Sequence, residues 1–164
     1  MDIRFTNELH PSRHDELVDY LRGPRLGMPK RHYPDYDDWL GRVHAELGKQ
    51  QKRAIVALDG GNVVGAVVYQ RHKQQSDVLE IRNVTVRPDM RGRYVASFLV
   101  RNLEIEGLRD FPGVTRILCD AKRENREIRL FLLQHRYVVA GALDLYGLGA
   151  GEDLVFSKSL LVRA

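Results

Sequence analysis

Between Val84 and Leu99 an apolar, alternating segment ends at Val86, and a loop with Arg87, Arg91, Gly92 and Arg93 follows. A helical apolar pattern then begins within a few residues. The first turn of a helix presents N–H groups that have no intrahelical partner and carries partial positive charge, so it attracts phosphate. Gly92 permits close backbone approach or a positive φ, and Arg91 and Arg93 add charge beside it. These residue types in this order predict a cradle for a diphosphate. The alternative is an ordinary strand-to-helix connection bearing surface arginines.

Other residues that could do chemistry read more plainly. Cys119 lies in an apolar segment and behaves as a small buried hydrophobe. As the only cysteine it can form no internal disulfide, which suits a reducing, cytoplasmic compartment. His10 and His14 have helical spacing, but Pro11 intervenes and no metal pair is expected. Trp39 falls at core spacing on a helix. A net charge of +4 suits an anionic partner. No interleaved aromatic and basic strand, helix-turn-helix signature or zinc spacing accompanies it, so nucleic acid is not the expected partner. No apolar run is long enough to span a bilayer.

The elements that would position the loop follow from periodicity. A short strand at Ile3–Phe5 precedes a helix with Ser12 as N-cap, ended by Gly23-Pro24. Residues 24–34 form a loop, and a second helix runs from Asp35 to Leu47. Strands at Ala54–Leu58 and Val63–Tyr69 flank an Asp59-Gly60-Gly61-Asn62 hairpin turn. A strand at Val78–Val86, the loop and a long helix come next, broken by Phe111-Pro112-Gly113. Strand Val114–Asp120, an amphipathic helix at Arg123–Gln134, strand Tyr137–Leu145, a glycine-rich turn at Gly147–Gly151 and strand Leu154–Leu160 complete the order. The Asp59–Asn62 hairpin implies antiparallel pairing, and the later alternation of strands with helices implies parallel pairing. One α/β domain over residues 1–164 is expected: a three-layer sandwich with a mixed sheet and about four helices.

Arg91-Gly92-Arg93-Tyr94-Val95-Ala96, preceded by Val86-Arg87-Pro88, resembles the Arg/Gln-x-x-Gly-x-Gly/Ala signature of the GNAT superfamily of acyl-CoA-dependent N-acyltransferases. Tyr94 stands where the family has its middle glycine. Asn125 to Tyr137 is similar to the family's late helix, with Asn125, Phe131 and Tyr137 in register. Leu132 occupies a frequent tyrosine position, and Arg136 a usual glycine. The element order matches over nearly the whole chain.

The resemblance implies that acetyl-CoA, or another acyl-CoA, binds with its pantetheine arm along Val84, Thr85 and Val86. Its diphosphate would lie on Arg91, Gly92, Arg93, Tyr94, Val95 and Ala96. Asn125 would either contact the arm or serve as a helix N-cap. A primary amine of a small molecule, peptide or protein then attacks the thioester after losing a proton. Glu80 is the candidate base, with an ion pair to Arg82 as its alternative. Tyr137, Tyr146 and Tyr94 are candidate acids, since Leu132 cannot serve. The acceptor pocket is expected between Gly23 and Trp39 and around Tyr146–Gly151, where Asp35, Asp37 and Asp38 could attract a cation. A homodimer is common in the family. Tyr94 and Leu132 also motivate a second reading: a catalytically weak module that binds acyl-CoA or a protein partner as a sensor.

Overall fold

Gly60 and Gly61 take φ of 56° and 85°, the two positive values that a tight two-residue hairpin turn requires. The turn joins β2 (Lys52–Asp59) to β3 (Asn62–Arg71), and β4 (Val78–Val86) adds antiparallel to β3. The structure is a computed structural model that describes residues 2–23, 33–143 and 151–160. The remaining elements are β1 (Ile3–Thr6), α1 (Pro11–Arg22), α2 (Tyr36–Gly48), α3 (Val95–Asp110), β5 (Arg116–Lys122), α4 (Arg126–Gln134), β6 (Val138–Leu143) and β7 (Asp153–Ser159). Among the described residues, seven strands form one mixed sheet in the order β1-β2-β3-β4-β5-β7-β6.

Alternation along the strands sorts the core into two layers. Ala54, Val56, Leu58, Ala66 and Val68 pack on Leu17, Leu21, Trp39, Leu40 and Val43 of α1 and α2. Ile55, Ala57, Val67, Leu79, Ile81, Ile117 and Cys119 pack on Leu99, Val100 and Leu103 of α3 and Leu132 of α4. The expected three-layer sandwich is the observed one. None of its described helices is long and apolar enough to cross a membrane.

Three expectations need correction. Helix α1 begins at Pro11, not after Ser12: proline suits the first helical position, and the His10 ring caps the helix by accepting from the Ser12 N–H at 3.5 Å. Among the described residues, parallel pairing is confined to β4 and β5. Strand β6 runs in the direction expected, but β7 lies between it and β5, antiparallel to both. Tyr137 is not the first residue of β6. It ends the turn after α4, where its N–H bonds Leu132 O at 3.0 Å and the Arg136 N–H bonds Leu133 O at 3.0 Å. That crossed pair is a Schellman cap, and Arg136 supplies its left-handed residue with φ 67°.

The feature that matters for function is in the middle of the sheet. Tyr69 of β3 pairs with Ile81 and Val68 pairs with Asn83, so Arg82 is an extra residue on β4. A bulge of this kind bends its strand and re-aims the following side chains. The parallel ladder between β4 and β5 stops at the same level, with Ile81 opposite Cys119 as its last pair. Beyond it, Asn83–Val86 of β4 stay on β3 and Asp120–Lys122 of β5 stay on β7. The sheet is prised open between them.

Candidate active site

The gap leads to the start of α3. Arg87 forks onto Asp89 at 2.5 and 2.8 Å, across a 3-10 turn at Pro88–Met90. Arg91 donates from Nε to Val86 O at 3.1 Å, tying the loop to the end of β4. Gly92 has φ 73° with open space where a Cβ would stand. Tyr94, at the N-cap position, is also left-handed with φ 62°, and its side chain makes no capping hydrogen bond. The amides of this first turn are therefore available to an anion, which the cradle reading requires. Gly65 on β3 lets α3 lie this close to the sheet: an added Cβ would meet Val95 Cγ1 at 3.0 Å and Leu99 Cδ1 at 3.2 Å.

On the α1/α2 side the gap opens into a cavity. Tyr33, Asp35, Tyr36 and Trp39 line it from the helical layer, and Ile81, Arg82, Asn83 and Val84 from β4. Cys119, Asp120, Ala121, Asn125 and Ile128 complete it. Tyr36 and Trp39 stack, with ring centroids 5.7 Å apart and planes at 26°, and the Tyr36 hydroxyl donates to Leu21 O at 2.6 Å. Burial pushes the Tyr36 and Tyr33 phenols up to about 12, and the nearby Asp120 and Asp153 charges add to the shift of Tyr33. Both hydroxyls stay protonated at neutral pH.

Asp120 was not among the residues singled out from sequence. Ile117, Cys119 and Ala121 face α3 and α4, so the alternate residue Asp120 faces the cavity side of β5. Burial is the main cause that raises its carboxyl above the usual carboxylate range, Asp153 and Glu80 add to this, and Arg82 opposes it. A lone carboxylate in an apolar strand was the available signal. Burial pushes the thiol of Cys119, next to it in the strand, far up, and it is inert as a nucleophile.

The residues expected from sequence divide clearly. Val84, Thr85 and Val86 run along the open edge, and Arg91 to Ala96 form the loop and helix start. Asn125 lines the cavity and also caps α4, accepting from the Ile128 N–H at 3.3 Å. Glu80 lies outside the cavity lining. Its carboxylate accepts from Arg82 at 3.1 Å and sits 3.4 Å from His72 Nε2. Tyr137 is 1% exposed, with its hydroxyl 3.3 Å from a Glu104 oxygen, and is not among the cavity residues. The Tyr94 ring is exposed at the helix start. Leu132 is fully buried in the α3/α4 core. Tyr146 lies outside the described residues, as does most of the 24–34 loop. Among the described residues no cluster suits a metal ion.

Similar architectures occur in solved structures. An N-acetyltransferase from Staphylococcus aureus Mu50 superposes with TM-score 0.76 at 14% identity, covering 98% of this chain and 100% of its own. An aminoglycoside 6'-N-acetyltransferase complexed with coenzyme A gives 0.73 at 18% identity, covering 100% and 99%. The ribosomal-protein-S18-alanine N-acetyltransferase from Escherichia coli gives 0.77 at 12%, covering 99% and 97%. No curated protein matches the chain in sequence. The profile of the Acetyltransferase (GNAT) family matches residues 14–134, a span that runs from α1 through the parted strands and the loop before α3 to the end of α4. The chain therefore belongs to the GNAT acetyltransferase family.

Proposed function

We propose that this chain is an acyl-CoA-dependent N-acyltransferase that moves an acetyl group onto a primary amine of a small molecule, a peptide or a protein. One observation carries the reading: the sheet parts after the Ile81–Cys119 pair, directly ahead of an uncapped helix start. The donor set fits an acyl-CoA. Gly92 has room for close approach, the α3 amides and Arg91 and Arg93 suit a diphosphate, and the unpaired edge of Val84–Val86 suits the pantetheine amides. When bound, the coenzyme supplies the acyl thioester. The N–H groups freed on β4 would polarise its carbonyl.

The cavity on the α1/α2 side would take the acceptor. Its mixture of rings and carboxylates suits an amine that arrives as a cation. Relatives of this fold named for an aminoglycoside and for a ribosomal-protein alanine act on amines, and the same acceptor chemistry is proposed here.

Leu132, buried where many family members carry a tyrosine, favours a second reading in which the chain binds acyl-CoA with little turnover. Calorimetric titration with acetyl-CoA, followed by turnover on an amine panel with the same sample, tests both. Saturable binding with turnover supports the transferase. Binding without turnover on any amine supports the module, and no binding removes both.

A further inference from the structure

We propose that Asp120 and Asn83, on opposite banks of the gap, form the docking point for a primary ammonium group, and that Asp120 takes its proton. The inference rests on the acyl-transfer reading and deepens it. Both residues lie just beyond the last β4–β5 pair and line the same cavity. Both face the α1/α2 layer: Asn83 pairs with Val68 of that layer's core, and Asp120 alternates with the Cys119 and Ala121 of the other.

What fits between them follows from their hydrogen-bonding capacity. Asn83 Oδ1 is buried and has no partner among the described residues, so it needs a donor. No described side chain hydrogen-bonds the Asp120 carboxylate, whereas its charged neighbours are paired. Arg82 donates to Glu80, and Lys122 is held by Asp153 at 2.8 Å and Gly151 O at 3.1 Å. Two acceptors facing one cavity match a group with several N–H bonds and positive charge. A primary ammonium has three, and a quaternary ammonium has none. The rings of Tyr33, Tyr36 and Trp39 would surround its alkyl portion.

The proton account balances. One ammonium proton passes to Asp120, leaving a lone pair on nitrogen. The nitrogen forms the N–C bond as the thioester C–S bond breaks. A second nitrogen proton then neutralises the departing sulfur, and Asp120 returns its proton to water. The raised carboxyl of Asp120 makes it a better acceptor of that proton than an ordinary surface carboxylate.

Trp39, the only tryptophan in the sequence, lines the cavity and reports occupancy by fluorescence. The protein is first saturated with CoA, followed by calorimetry, then titrated with n-butylammonium and with n-butyltrimethylammonium. Expected is a preference for the primary ion of about tenfold or more, the worth of charge-assisted hydrogen bonds. Asp120→Asn and, independently, Asn83→Leu should abolish it while CoA affinity stays within about twofold. Equal binding of the two ions by the wild type, or a preference that survives both substitutions, overturns the inference and leaves acyl transfer standing. Failure of the wild type to bind CoA overturns both.

Discussion

Ile81 and Cys119 form the last backbone pair between β4 and β5, and the residue after Ile81 is the one that β3 skips. The bulge and the gap thus coincide. Ile81 faces the α3/α4 core and Asn83 the α1/α2 side, so deleting Arg82 would make them neighbours with ordinary alternation. The deletion variant is expected to fold, with an unchanged circular dichroism spectrum. Its CoA affinity should fall at least about tenfold, because the straightened β4 re-pairs with β5. Unchanged affinity would mean that the bulge does not hold the gap open.

Asp120 should trade stability for function. Its folded pKa is raised, so the folded state binds this proton more tightly than the unfolded state does. Stability from this group is then greatest at low pH and is lost as pH rises from the ordinary carboxylate value through the raised one. At neutral pH the ionised carboxylate is a cost. Asp120→Asn should raise the melting temperature at pH 7 while lowering kcat/KM by about 10²–10⁴-fold, the usual worth of a general base. A merely structural Asp120 would give a lower melting temperature.

The pH dependence of turnover should follow the same group. Asp120 is faced by Arg82 and Glu80 from β4, Asp153 from β7, and Tyr33 and Asp35 from the cavity wall, with Cys119 and Lys122 adjacent on its own strand. Activity of the wild type is expected to fall in acid along a limb above the usual carboxylate range. Asp120→Glu should keep part of the activity, and Asp120→Asn should lack that limb. Glu80→Gln should cost less kcat/KM than Asp120→Asn, since Glu80 lies outside the cavity lining.

Tyr94 and Arg136 stand at two positions where the resembling family has glycine, and both are left-handed, with φ of 62° and 67°. A non-glycine residue pays roughly 1–2 kcal/mol for that conformation, partly offset by the entropy glycine loses on folding. Tyr94→Gly and Arg136→Gly should each stabilise the fold by up to about 1 kcal/mol in chemical denaturation. Tyr94→Val should destabilise it, because a β-branched residue fits this region worst.

Gly65→Ala tests the approach of α3 to the sheet. The added methyl would press on Val95, Leu99 and Thr85 O, the last at 3.3 Å. A loss of about 1–3 kcal/mol is expected from overpacking, together with weaker CoA binding as the first helical turn moves outward.

How much of this could be read from the sequence depends on what marks each feature. Gly60-Gly61 announces its hairpin, and Gly92 with its flanking arginines announces the loop, because both need unusual backbone. The bulge at Arg82 carries no glycine or proline, and its residue types suit a regular strand, so only the register reveals it. Asp120 was hidden for a similar reason. Within Arg116–Lys122 it looks like one polar residue of a strand, and its importance comes from β4 leaving its side. Glu80 was the visible carboxylate on the strand that leads to the loop, but Arg82 and His72 hold it. The place of β7 between β5 and β6 is a matter of strand order, which local periodicity does not encode.

The central claim is that a coenzyme's diphosphate lies on the amides opening α3, beside the parted strands. Calorimetric titration of CoA into the wild type, the Arg91→Ala/Arg93→Ala variant and, as a control that removes two arginines of α4, the Arg126→Ala/Arg129→Ala variant tests it most directly. Saturable binding is expected, weakened about tenfold or more by the first pair of substitutions, each removing a charge-assisted contact, and far less by the second. Equal losses from the two pairs, or no binding at all, would contradict it.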